Sequence, residues 1–256
     1  MSADVLLPLL AEFAVRLAAG LSAFVLITPW SLVPPKFFRT HCQVVLGLLV
    51  LAALDVGRGQ EFGWPFRLIC AAAVSSYLGS ISWGLGLPRL GNAFATAMLA
   101  CLMGLLALPI LDSLNPALAW VLVIGRTSSA MLLGSTLTAM LLGHYYLAAP
   151  AMSIEPLRRT MWWIAGSLVV RIALSALGIW YWTHSQQPEA YAEPLFLAMR
   201  WGMGLAGPIL ATTLAWKTVA IRSTQSATGI LYIAMTLVLF GEVSALVLAR
   251  SVAWLA

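Results

Sequence analysis

Residues 117–147 read ALAWVLVIGRTSSAMLLGSTLTAMLLGHYYL, an apolar run broken by one charge, Arg126. A transmembrane helix needs about 20 predominantly apolar residues. This run is longer than that, so its last turns, with His144, Tyr145 and Tyr146, are expected to emerge into the membrane interface. Similar runs lie at 5–31, 42–56, 66–86, 92–111, 157–182, 194–216 and 227–254, bounded by Pro, Gly and clusters of charge. The pattern predicts an all-α, polytopic integral-membrane helical bundle of about eight transmembrane helices, a single transmembrane domain over residues 1–256. The second run is short, and its true start is sought back among Phe37 and Phe38.

Composition agrees. Of the 256 residues, 61% are apolar and 9% charged, against about 25% charged in a soluble domain. A mean hydropathy of +0.94 leaves no polar coat for a water-soluble globule. Trp30, Trp64, Trp83, Trp120, Trp162, Trp163, Trp180, Trp182, Trp201, Trp216 and Trp254 all fall near expected helix ends, where an amphipathic indole prefers to sit. Cys42, Cys70 and Cys101 lie in or beside apolar runs without CxxC or CxxCH spacing, and read as small packing residues. Asp4, Glu12 and Arg16 make the first run unlike a secretory signal, so it is read as a mature first helix.

The net charge of +5 reads as topogenic. No basic run interleaved with aromatics exists, and no nucleic-acid partner is expected. Connections after the odd-numbered helices carry Lys36, Arg39, Arg89, Arg158, Arg159, Lys217 and Arg222. Those after the even ones carry Arg58 and Arg67 beside Asp55, Glu61, Asp112, Glu189 and Glu193. The odd connections are therefore expected in the cytoplasm of a bacterial inner membrane, with both termini periplasmic. Gly47-Leu48-Leu49 through Leu54-Asp55 echoes Gly104-Leu105-Leu106 through Leu111-Asp112. Leu-rich composition alone gives such matches; the alternative is a duplicated helical hairpin within 1–112.

The chemistry-bearing residues are the charges inside the runs: Glu12, Arg16, Arg126, Arg171, Arg200 and Glu242. An ionised group in the membrane is expensive unless paired or wetted, so all six are expected to face inward. Counted at 1.5 Å per residue, they share the outer half or the midplane and are expected to form one cluster. Glu12 and Arg16, four apart in the favourable order, can neutralise each other. Glu242 can neutralise one of Arg126, Arg171 and Arg200 in a structural network. About two cations are then left over, and an anionic or carbonyl-rich group such as a quinone head, a haem propionate or a lipid phosphate would relieve the excess.

Gly125, Thr127, Ser128, Ser129, Gly134, Ser135, Thr136 and Thr138 permit close approach and cross-helix hydrogen bonds, which places the fifth helix centrally. Gly202-Met203-Gly204-Leu205-Ala206-Gly207-Pro208 reads as a kinked stretch, serving either close packing or a ligand at exposed backbone. His41 and His144 fall at cytoplasmic helix ends, where they serve as interfacial hydrogen-bonders or, alternatively, as the axial pair of a b-type haem. His184 is expected in the solvated outer loop. The segments 32–39 and 149–159 read as helix punctuation with topogenic charge, with Pro156 opening the sixth helix, and Ser223 or Thr224 is expected to cap the eighth. No HExxH, GxSxG or Walker loop is present, so soluble-style catalysis is unsupported.

In length and span count the chain is similar to the eight-helix quinol-oxidising anchor subunits of periplasmic redox enzymes, and more distantly to the third subunit of haem-copper oxidases, an analogy of architecture without shared motif residues. The expectation is a membrane subunit of a redox or respiratory assembly, with an outer-half Arg/Glu site for a quinone or a cofactor's acidic groups and with partner membrane or periplasmic subunits. The competing expectations are a small-anion or proton-coupled transporter and a purely structural or assembly subunit.

Overall fold

The computed structural model describes residues 3–58, 63–108, 110, 115–149, 152–184 and 193–251. Helices α1 (Ala3–Ile27), α2 (Pro35–Arg58), α3 (Trp64–Gly84), α4 (Pro88–Leu106), α5 (Pro116–Ala148), α6 (Glu155–His184), α7 (Pro194–Ala220) and α8 (Thr224–Ser251) follow one another, with no strand among the described residues. Glu61, Asp112, Glu189 and Trp254, used in the orientation and boundary readings, lie outside them.

Helix starts follow sequence punctuation. Pro65, Pro88, Pro116 and Pro194 occupy first-turn positions, where a missing N–H sacrifices no intrahelical bond. The Asn115 side chain accepts from the backbone N–H groups of Ala117 (3.0 Å) and Leu118 (3.4 Å) at the start of α5. Of the two capping candidates for α8, Ser223 stands just before the helix, and its hydroxyl donates to Ser226 at 3.1 Å. Helix α2 begins at Pro35, earlier than its apolar run.

Seven of the helices are long and apolar enough to cross a membrane. The exception is α3, whose Arg67, Ser75, Ser76, Ser80 and Ser82 dilute its hydropathy; Ser76, Ser80 and Ser82 are buried. It nonetheless runs antiparallel to α2 for its full length. Trp83 stacks on Phe38 at 4.4 Å at one end, Ser76 donates to the Cys42 carbonyl at 2.6 Å midway, and Gly57 approaches Phe66 at the other end. The neighbours α3 and α4, α5 and α6, α6 and α7, and α7 and α8 are antiparallel in the same way. The start of α1 and the end of α8 therefore share one face of the bundle. Trp83 stands one residue from the end of α3, as expected, but is 2% exposed, packed against Phe38 and Gly91.

Helix α5 is central, as its small residues imply. It packs on α1, α6 and α8, and it buries Gly125, Ser128, Ser129, Gly134, Ser135, Thr136 and Thr138. Helices α1 and α5 lie parallel and in backbone contact, since Gly20 faces the Ala130 carbonyl and Gly134. This crossing positions the charges described next.

Candidate functional site

The six membrane charges pair into two adjoining centres, with Arg16 of one within electrostatic reach of Arg171 of the other. The first is fully buried, and it joins Glu242 of α8 to Arg171 of α6 and Arg200 of α7, each no more than 1% exposed. The Arg171 fork donates to both carboxylate oxygens, from Nε to Oε1 (3.1 Å) and from Nη2 to Oε2 (2.8 Å), while its Nη1 donates to the Gly125 carbonyl at 3.3 Å. Arg200 donates to Glu242 Oε1 at 2.7 Å and to Ser175 Oγ at 3.1 Å. Ser129 completes the shell, donating to Oε2 at 2.5 Å. Glu242 thus accepts four charge-assisted or hydroxyl bonds, the kind of satisfaction a buried ion requires.

Backbone geometry makes this possible. Between Pro194–Trp201 and Gly207–Ala220, α7 passes through a π-helical turn at Gly202–Ala206. There Gly204 lies directly on Gly241, and a Cβ on either residue would strike the other's backbone. The two helices approach so closely that Arg200 reaches Glu242, the residue after Gly241. The expected kink is therefore a π-turn. Pro208 lacks an N–H and crowds the carbonyl four residues earlier, Gly204, and the turn widens at that place.

The second centre is half-open. Arg16 donates to Glu12 Oε1 at 2.6 Å within α1, and Arg126 of α5 meets the same oxygen at 3.4 Å. The Glu12 and Arg126 side chains are 32% and 27% exposed, whereas that of Arg16 is 3% exposed. Glu12 and Arg126 line a cleft of about 290 Å³ with Asp55, walled by Pro8, Ile69 and Leu105 among other apolar residues. Arg16 stands behind it with its Nε and Nη1 buried and without a hydrogen-bond partner.

The split follows from helical geometry. Gly125 and Ser129, one turn apart, both face the buried centre; Arg126 is rotated about 100° from Gly125 and faces α1 instead. Glu242 is therefore served by Arg171 and Arg200, not by Arg126. Across both centres four Arg face Glu12 and Glu242; Asp55 joins on the cleft wall, and Arg250 of α8 lies within electrostatic reach of Glu12, so cations still outnumber carboxylates. Asp55 reaches the cleft from the last turn of α2, and its signal in the sequence is the Leu-Asp exit of that run. Ser129 belongs to the stripe expected to hydrogen-bond across helices; Ser175 is a further member, and nothing in its spacing separates it from other packing serines.

The two candidate haem ligands are not brought into one site. His41 is fully buried; its Nδ1 donates to the Phe37 carbonyl (3.0 Å) and its Nε2 accepts from the Thr138 hydroxyl (3.2 Å). Both ring nitrogens are thereby engaged, so His41 locks α2 to α5. His144 is exposed on α5. Among the described residues no group of three or more His, Cys, Asp or Glu side chains could hold a metal ion.

The class defined by this fold is an all-α, multi-pass membrane protein with ionic centres inside the bundle. No family model, no curated protein and no solved structure matches the chain.

Proposed function

We propose that the chain is an integral-membrane subunit of a redox assembly in a bacterial inner membrane, and that the cleft at Glu12, Asp55 and Arg126 binds a quinone headgroup. The observation that carries this reading is the character of the cleft: a few polar groups converge in an otherwise apolar pocket. A quinone head presents carbonyl acceptors on an apolar ring. The Arg126 guanidinium supplies donors for a carbonyl, Glu12 and Asp55 are carboxylates of the kind that exchange protons with a quinol, and the apolar walls accept the ring. The buried Arg171–Glu242–Arg200 centre serves as the structural brace beside it, and partner membrane or periplasmic subunits supply the remaining redox chemistry.

The test is quinone content in extracts of the purified protein. Arg126→Leu is expected to lower it at least tenfold while thermal stability is retained, since a hydrogen bond to a charged group contributes about 1.5–3 kcal/mol. Arg126→Lys should rescue poorly, because a point charge lacks the planar donor fork. A quinone-free wild type, or unchanged content in Arg126→Leu, refutes the reading.

One observation favours a second reading, a small-anion or proton-coupled transporter: the π-turn beside the buried Arg200–Glu242 pair is a candidate hinge. Substrate-dependent uptake into liposomes by a quinone-free preparation would support it.

Orientation is part of the same proposal. Reporter fusions after Lys36 and after Arg159 are expected to read as cytoplasmic, and fusions within residues 186–193 as periplasmic, following the cation bias of the loops. Inverted labels would move the cleft to the cytoplasmic side.

A further inference from the structure

At the opposite face, where α6 begins and α7 ends, Arg158 and Arg222 line a cleft of about 320 Å³ with Met161, Trp216 and Val219. Arg158 is exposed in the first turn of α6, and its nearest carboxylate, Glu155 at 4.0 Å, is already held by Arg159 at 2.9 Å. One carboxylate shared by two guanidinia leaves a cation in excess, and Arg222 and the exposed Lys217 add to it. Trp216 is fixed edge-on against Trp162, with centroids 4.6 Å apart, and forms a rigid apolar wall. Trp162 is 64% exposed and Ile221, in the turn itself, 77%. Exposed indole and aliphatic groups at a helix end belong in the headgroup layer of a bilayer.

Arg222 supplies an independent observation. It closes α7 in the left-handed conformation, at φ 56°, with its N–H donating to the Val219 carbonyl and the Ser223 N–H to that of Thr218, both at 3.0 Å. This is the position at which a helix ordinarily ends on glycine, because a Cβ there is disfavoured. The chain nonetheless places an arginine there, on the rim of the cleft.

We propose that this cleft binds the phosphate of an anionic phospholipid, with the guanidinia of Arg158 and Arg222 as its donors and with Met161, Trp216 and Val219 against the glycerol and upper acyl carbons. Two guanidinia over an apolar floor suit a phosphodiester that carries its own hydrocarbon, and basic pockets between helix ends are a recurring form of lipid recognition.

The experiment uses the whole protein in neutral detergent, titrated with phosphatidylglycerol, phosphatidylcholine or inorganic phosphate and followed by native mass spectrometry and thermal shift. Phosphatidylglycerol is expected to bind in preference to phosphatidylcholine, and Arg158→Gln and Arg222→Gln each to weaken it about fivefold. Arg222→Gly separates binding from folding: it should weaken phosphatidylglycerol equally, yet raise the lipid-free melting temperature by about 2 °C, because glycine adopts the left-handed turn without strain. Equal binding of the two lipids, or full affinity in both Gln variants, overturns the proposal. Saturation by inorganic phosphate with no gain from the lipid assigns the site to a soluble phosphate and overturns the lipid assignment.

Discussion

Glu242→Leu is expected to lose about 3–5 kcal/mol of stability, the usual consequence of removing one partner from a buried ion pair, and to accumulate poorly as folded protein. The carboxylate accepts from Arg171, Arg200 and Ser129. Without it two guanidinia remain in a region no more than 1% exposed, repelling each other with no carboxylate between them. Glu242→Gln should be milder, since its carbonyl oxygen keeps one acceptor while the charge is lost. The decisive comparison is a triple replacement, Glu242→Leu with Arg171→Met and Arg200→Met. Buried ion networks replaced together by apolar side chains of similar volume are often neutral or stabilising, so the triple variant should regain most of the melting temperature lost by Glu242→Leu. If it retains quinone as well, the buried centre is a brace alone. Stability of Glu242→Leu within about 1 kcal/mol of wild type would contradict the assigned pairing.

The same centre shows what the sequence makes legible and what it does not. Helix positions were readable because lipid imposes a length and a polarity on every span. The errors fell where tertiary contact replaced lipid. Lys36, Arg39 and His41 obscured the start of α2, yet His41 satisfies both ring nitrogens within the bundle. The serines of α3 lower its hydropathy, yet the run 66–86 marks the helix, and α2 and α4 cover it on either side. That the six charges face inward followed from the cost of exposing them to hydrocarbon. How they are partitioned depends on which helices are neighbours, and spacing along one chain does not encode that. The Arg16–Glu12 pair was legible because both residues lie on one helix face; the Glu12–Arg126 pair depends on the parallel crossing of α1 and α5. The same holds for His41 and His144, whose common depth is readable along the chain, whereas their surroundings, buried for one and exposed for the other, depend on packing.

That crossing yields the second large effect. Gly20→Ala and Gly134→Ala are each expected to lower stability by about 1–3 kcal/mol, the range for overpacking a close-packed interior, and Gly20→Leu to prevent folding. A Cβ at Gly20 would meet the Ala130 carbonyl and the Gly134 Cα, and one at Gly134 would meet the backbone of Gly20. Backbone has no rotamer by which to yield, so the helices must separate. Gly47 and Gly166 provide the control, because a Cβ there meets nothing within 4 Å. Alanine at those sites should be neutral or stabilising by up to about 1 kcal/mol, from helix propensity alone. The functional consequence follows from the parallel geometry. Gly20 and Gly134 lie the same eight positions beyond Glu12 and Arg126 on their respective helices, so parting the crossing draws Arg126 away from Glu12, whose 3.4 Å contact has little to lose. Gly134→Ala should therefore lower quinone content more than Gly166→Ala, even in the fraction that remains folded. Equal melting temperatures for Gly20→Ala and Gly47→Ala would show that α1 and α5 do not touch as described, and the placement of Arg126 beside Glu12 at the cleft would then lose its geometric basis.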